Sequence, residues 1–265
     1  MVLEPVILIL VKPNYKQQHT ALPANQSDQI SFFNTSIRPK IIFGYLFSVF
    51  AGGMILEKGE IPSMKFVSDF PIILASQSPR RQELLGMLGI DFTIVPSTKD
   101  EPNPQQFQTA LGFVLACAAQ KAREVATVHA DAIVIGSDTI VALDDEILLK
   151  PKSKDQARSY LQKLSGQTHH VITAVTVLQK NSELSFHETV KVTFFELPEA
   201  WIEAYINTAD PYDKAGAYGI QTLSGLFVKE ITGDYNAVVG LPIALLTQKL
   251  VSAGFVSLAG SGVRC

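Results

Sequence analysis

The 265-residue chain carries 22 Lys and Arg against 25 Asp and Glu, a net charge of −3, with 47% hydrophobic and 18% charged residues. That composition is enough for one large globular domain or two small ones, and it supplies no overall basic field to hold a nucleic-acid backbone. Its two cysteines, Cys117 and Cys265, form neither a disulfide framework nor a zinc cluster, and they suit a reducing, cytoplasmic setting.

Residues 1–65 read as an extension apart from the rest. Met1–Val11 is apolar, Lys12–Asn34 is polar and turn-rich, and Ile41–Leu56 is a second apolar run, IIFGYLFSVFAGGMIL. Its sixteen uncharged residues fall short of the ~20 that span a bilayer as a helix, and no signal-peptide cleavage pattern accompanies it. Three readings stay open: a membrane anchor, an ordered extension packed on the domain, or a segment that is poorly structured or lies outside the working protein, with Met64 as a start site. Against the first, membrane attachment is not the default expectation.

From Pro71 the pattern sharpens into a domain expected over 66–255. Ile72–Ala75 reads as a buried strand, and a helix follows Ser76–Arg81 to Leu88, stopped by Gly89. Phe92–Val95 reads as a strand, 97–105 as a loop, and Phe107–Val128 as a helix with Leu111, Leu115, Ala118, Ala122 and Val125 along one face. Ala132–Ile135 is a second buried strand, closing in Gly136-Ser137-Asp138. Ile140–Leu143 and Ile147–Leu149 suggest a hairpin around Asp144-Asp145. Ser153 and Gln156 form a capping-box pattern opening a helix that ends at Gly166. Val171–Leu178, Val190–Phe195, Leu226–Ile231 and Ala237–Val239 read as strands, 198–207 and 242–253 as helices, and 256–265 as a frayed tail. This mixture of helices and adjacent strands predicts an α/β (α+β) class, with a mixed twisted sheet and flanking helices.

The chemistry-bearing residues start at Ser76-Gln77-Ser78-Pro79-Arg80-Arg81. Ser78 suits a helix N-cap and Pro79 the first helical position, so Arg80 and Arg81 fall in the first turn. Cations are unfavourable at that end unless an anion sits among them. Backbone N–H groups, guanidinium forks and serine hydroxyls together describe a polyphosphate cradle; the alternative is two solvated arginines. Asp138, expected at the carboxyl end of a strand, is where ligands gather in open α/β sheets, and its carboxylate suits a metal or the proton of a water. Glu101 is a second acidic candidate in a loop. Lys150 closes a strand before a capped helix, where a lysine reaches a phosphate as a point charge, and Lys121 lies on the long helix; for both, a solvated surface lysine is the plainer reading. The stretch 213–221 combines charge, small residues and Gln221, whose amide can read the edge of a base. His169-His170 lacks metal-ligand spacing and reads as structural.

These segments together resemble the Maf family. The matching stretches are LASQSPRRQELL at 74–85, PSTKDE at 96–101, VIGSDTIV at 134–141, LLKP at 148–151, LSGQTHHVITAV at 164–175, DKAGAYGIQ at 213–221 and GDYNAVVGLP at 233–242, in family order. Ser137 stands where alanine is more usual. The resemblance implies a Maf/ITPase-like fold with a central cleft, and a nucleotide pyrophosphatase that splits a nucleoside triphosphate between the α- and β-phosphates with a divalent metal, Mg or Mn. It implies Asp138 as the proton acceptor, Glu101 and Asp138 as the catalytic and metal-holding pair, and Ser76, Arg80, Arg81, Lys121 and Lys150 on the phosphates. Arg80, Thr139 and Gln221 match the positions associated with base choice in the dTTP/UTP type. A homodimer is implied as well. Two other functions stay open, a pyrophosphatase acting on 7-methyl-GTP or another modified nucleotide, and a nucleotide-binding regulator of cell division with little catalysis.

Overall fold

The structure, a computed structural model, describes residues 64–144 and 146–260 and three strands nearer the N-terminus. The chain divides into two compact units, Met1–Ile61 and Pro62–Cys265. In the first, β1 (Ile41–Ile42), β2 (Tyr45–Phe50) and β3 (Gly53–Glu57) pair antiparallel in that order. The described residues of the run at 41–56, aromatic and β-branched strand formers among them, thus lie in strands rather than in a helix. Among the described residues no helix is long and apolar enough to cross a membrane. The readings of 1–34, of Asp145 and of 261–265 lie outside the described residues.

The second unit is a mixed sheet with helices on both faces. In chain order it holds β4 (Phe66–Val67), β5 (Ile72–Leu74), α1 (Pro79–Gly86), β6 (Thr93–Ile94), α2 (Ala110–Ala126), β7 (Ile133–Leu143), β8 (Glu146–Leu148) and α3 (Lys154–Leu164). After these come β9 (Thr168–Gln179), β10 (Ser182–Phe194), α4 (Glu199–Ile206), β11 (Val228–Thr232), α5 (Tyr235–Val239), α6 (Ile243–Ser252) and β12 (Ser257–Leu258). The large sheet runs β11-β10-β9-β7-β5-β6, with β8 also on β7. β5 is parallel to both β6 and β7, and every other pairing in it is antiparallel. β12 returns to pair with β4, so residues expected in the tail close the unit near its start.

Side-chain alternation along β7 divides the core. Val134, Ile140 and Ala142 pack under α2, against Phe113, Val114, Ala122 and Val125. Ile133 and Ile135 face α1 and α6 through Leu84, Leu85, Leu246 and Leu250. Val141, Val171 and Val190 pack on α3 and α4 through Leu161, Leu164, Ile202 and Ile206. α3 starts as expected, with Ser153 Oγ accepting from Gln156 N at 3.2 Å.

Three elements differ from the sequence reading. β10 starts at Ser182 rather than Val190, because β9 pairs with it antiparallel from Ser182 onward. β7 does not stop before Asp138; it continues to Leu143 because β9 pairs with it from Val134 to Ala142, overriding the poor strand propensity of Gly136-Ser137-Asp138. Residues 237–239 are helical, not a strand. Asp234 Oδ1 accepts from Asn236 N at 2.9 Å and starts α5, and a three-residue apolar run has too little periodicity to separate the two.

Candidate active site

A notch in the sheet sets the site. One edge of β7 pairs with β5 only at Ile133–Ile135 and with β8 only at Val141–Leu143. Between those pairings, at Asp138 and Thr139, the edge opens into a cleft of about 400 Å³, within the ~300–1,000 Å³ range of small-ligand sites. Asp138 is therefore mid-strand, yet it stands just past the end of its parallel neighbour β5. Ser76, Arg80, Arg81, Lys121, Asp138, Thr139, Lys150 and Gln221 all line this cleft.

Asp138 and Thr139 point to opposite faces of the sheet. On the Asp138 face, α2 crosses β7 at Gly136. A Cβ there would lie 2.4 Å from the Ala118 carbonyl oxygen and 2.7 Å from Ala122 N, so glycine allows the close approach. The approach brings Lys121 Nζ within 2.5 Å of Asp138 Oδ1 and 2.8 Å of Glu101 Oε1. Lys121 is not the solvated helix lysine of the plainer reading: its side chain is 15% exposed. Burial works against its charge, but Asp138 and then Glu101 outweigh it and hold its pKa above the ordinary lysine value. Burial likewise opposes ionisation of Glu101, and Lys121, Lys150 and Arg81 reverse the balance and lower its pKa. Cys117, one turn before Lys121, is buried, and its thiol pKa is pushed up by burial first and by Asp138 and Glu101 next.

Glu101 reaches the cleft through Lys121, from a loop that α2 holds in place. Gln120 Nε2 donates to Asp100 O at 2.7 Å. Glu124 accepts from Thr98 N (3.1 Å), Thr98 Oγ1 (2.7 Å), Lys99 N (3.2 Å) and the Ser97 hydroxyl. Those donors, the Ser97 and Thr98 hydroxyls first, draw its pKa down to about 2. The sequence reading missed Glu124; its helix position gives no sign of the loop that folds over it.

On the Thr139 face, Arg81 is tied at three points. Nε donates to Gly240 O at 2.8 Å, Nη1 to Ser76 Oγ at 3.3 Å and Nη2 to Thr139 Oγ1 at 3.0 Å. Gly240 adopts φ 134°, a backbone conformation open to glycine, and its carbonyl also accepts from the Ser137 hydroxyl at 3.2 Å. The serine found in place of the usual alanine is thus buried but satisfied. Burial lowers the Arg81 pKa, and Asp138 opposes that shift. Thr139 Oγ1 lies 2.9 Å from Thr173 Oγ1, which donates to Ala237 O at 2.6 Å; its hydroxyl is engaged by Arg81 and Thr173.

Arg80 points elsewhere, with Nη1 3.1 Å from Asp213 Oδ2. Part of the anion expected at the start of α1 is thus the chain's own carboxylate. Lys150 is exposed on the rim. Gln221 is exposed on the 213–221 loop, and Lys214 in that loop is buried. His169 is structural, as its spacing suggested: it is fully buried, with Nε2 2.7 Å from the Tyr218 hydroxyl and its ring edge-on to Phe194. Burial, then His170, brings its pKa down to about 4.

Among the described residues no cluster of three or more His, Cys, Asp or Glu gathers as a metal cage. Two carboxylates from separate elements nevertheless converge on one cationic atom. Oxygen donors of that kind suit a hard divalent cation.

A family model described as Maf-like protein matches residues 71–253, which hold the whole cleft. The chain belongs to the Maf family. A relative from Bacillus cytotoxicus named dTTP/UTP pyrophosphatase is 48% identical over 178 residues, covering 67% of this chain and 93% of that protein. A relative of the same name from Bacillus cereus is 47% identical over 179 residues, covering 68% and 93%. Both relatives are covered along nearly their whole length. Among solved structures, the Staphylococcus aureus Ham1 protein superposes with a TM-score of 0.39 at 15% identity, over 68% of this chain and 99% of that one.

Proposed function

We propose that this chain is a nucleoside triphosphate pyrophosphatase that favours dTTP and UTP. The observation that carries the reading is Asp138, held in the sheet notch beside Glu101 in a cleft whose walls bear Arg80, Arg81, Lys121 and Lys150. A water oxygen bonds to phosphorus at the α–β anhydride, the bridging P–O bond breaks, and pyrophosphate leaves with the electron pair. Asp138 accepts the water's proton. Phosphoryl chemistry of this kind needs chiefly positioning and neutralisation of charge, which the fixed Arg81 and the lysines provide. Asp138 and Glu101 would hold a divalent cation, Mg or Mn, which supplies Lewis-acid charge when bound. The names of the Bacillus relatives support the substrate choice.

The test is product analysis by HPLC over a panel of dTTP, UTP, the other common triphosphates and 7-methyl-GTP, with and without Mg or Mn. Monophosphate and pyrophosphate, fastest from dTTP and UTP and only with metal, are expected. Preference for 7-methyl-GTP would move the chain to the modified-nucleotide type, and tight binding without product would make it a regulator. Nucleotide-pool sanitation in the cytoplasm is the role that fits such an activity, tested by nucleotide pools and fractionation in a deletion strain. The homodimer is tested by sedimentation.

A further inference from the structure

A cleft that binds a polyphosphate has little use for a bare carboxylate on its wall, yet Asp213 lines it and is exposed. Its two oxygens are divided between two cations. Oδ2 accepts from Arg80 Nη1 at 3.1 Å and Oδ1 from Lys214 Nζ at 2.6 Å. Lys214 is 7% exposed, and its other donors go to Asp210 O at 2.7 Å and Asp210 Oδ1 at 2.9 Å. With three donors and three acceptors, this ammonium has no N–H left for a substrate. Asp210 is anchored in turn, with Oδ2 accepting from the hydroxyls of Tyr205 (2.7 Å) and Thr222 (2.6 Å). The network runs from a buried tyrosine to the first turn of α1.

The two neighbouring arginines therefore have different duties. Arg81 faces Thr139 and Ser76, and among the described residues its hydrogen-bond partners include no carboxylate. Arg80 is held by an anion that offsets its charge and repels phosphate, and that anion opens the 213–221 loop, which ends in Gln221 and lines the same cleft. We infer that Asp213 is a specificity-determining positioning residue, fixing the Arg80 guanidinium toward the base end of the nucleotide and leaving the phosphates to Arg81, Lys121 and Lys150. The inference rests on the pyrophosphatase reading above.

The experiment compares the full chain with Asp213→Ala, Asp213→Asn and Asp213→Glu. Two quantities are measured: kcat and KM on dTTP, UTP, CTP and GTP, and the affinity for inorganic tripolyphosphate, which has no base, by calorimetry. In the Ala and Asn variants the preference for dTTP and UTP falls at least about fivefold, through KM rather than kcat. Tripolyphosphate binds about threefold tighter, because a cation at a partly exposed site is released to it. Asp213→Glu restores most of the preference. An unchanged preference, or tripolyphosphate binding that stays the same or weakens, overturns the inference. If the parent chain hydrolyses no triphosphate, the pyrophosphatase reading fails by itself; the tripolyphosphate arm still decides on Asp213, and unchanged or weaker binding sinks it.

Discussion

Asp138 and His169 are both buried polar residues on the two central strands, and their surroundings assign them opposite work. Asp138 meets Lys121 and opens to the cleft. Asp138→Asn preserves shape but removes the proton acceptor proposed above, so kcat is expected to fall by about 100- to 10,000-fold with the circular dichroism spectrum unchanged; near-normal turnover would refute its role as base. His169 is shut in with Tyr218 and Phe194. Its pKa is near 4 in the fold against about 6.5 in the unfolded chain, so the unfolded state takes up the proton first as pH falls. Stability is whole above pH ~6.5 and declines between there and pH ~4, by on the order of 2–3 kcal/mol from this group. Urea melts across that window should show a shallower loss in His169→Gln, whose side chain can still bond Tyr218; equal slopes would mean that other groups set the acid limit.

The elements meet at Gly136, where α2 lies on β7 closely enough to deliver Lys121 to Asp138 and Glu101. Gly136→Ala pushes a methyl into the Ala118 carbonyl and costs about 1–3 kcal/mol, as overpacking does in a closed core. The same shift lifts Lys121 away from the carboxylates. A urea midpoint equal to that of the parent would show that α2 yields without strain. α2 also shapes the site through Gln120 and Glu124, which hold the loop before Glu101. One helix thus serves both acidic groups, bringing Lys121 to Asp138 by close packing and holding Glu101 through a hydrogen-bonded loop.

At the scale of the molecule, every described residue lining the cleft falls within the second unit, between Ala75 and Val239. The family match spans 71–253. A chain beginning at Met64 should therefore keep the kcat/KM of the full-length chain on dTTP. A large loss on truncation would assign the first unit a part in the site. Fractionation of the two forms side by side tests whether residues 1–63 change where the protein resides.

Much of this was legible in the sequence because the signals are local. Ser78-Pro79 starts a helix, Ile72–Leu74 and Ile133–Ile135 read as buried strands, and the ordered motifs carry the resemblance to the Maf family and the eight cleft residues. Only tertiary structure decided the rest, because it depends on contacts between distant segments. β9 keeps β7 extended through Gly136-Ser137-Asp138, and α2 turns Lys121 from a surface lysine into a bridge between carboxylates. Arg80 and Arg81 are neighbours with the same local signature, and their surroundings part because the first meets Asp213, 133 residues away, and the second Gly240, 159 away. Local propensity acts over a few residues; burial, pairing and charge act across space, and they set what each group can do.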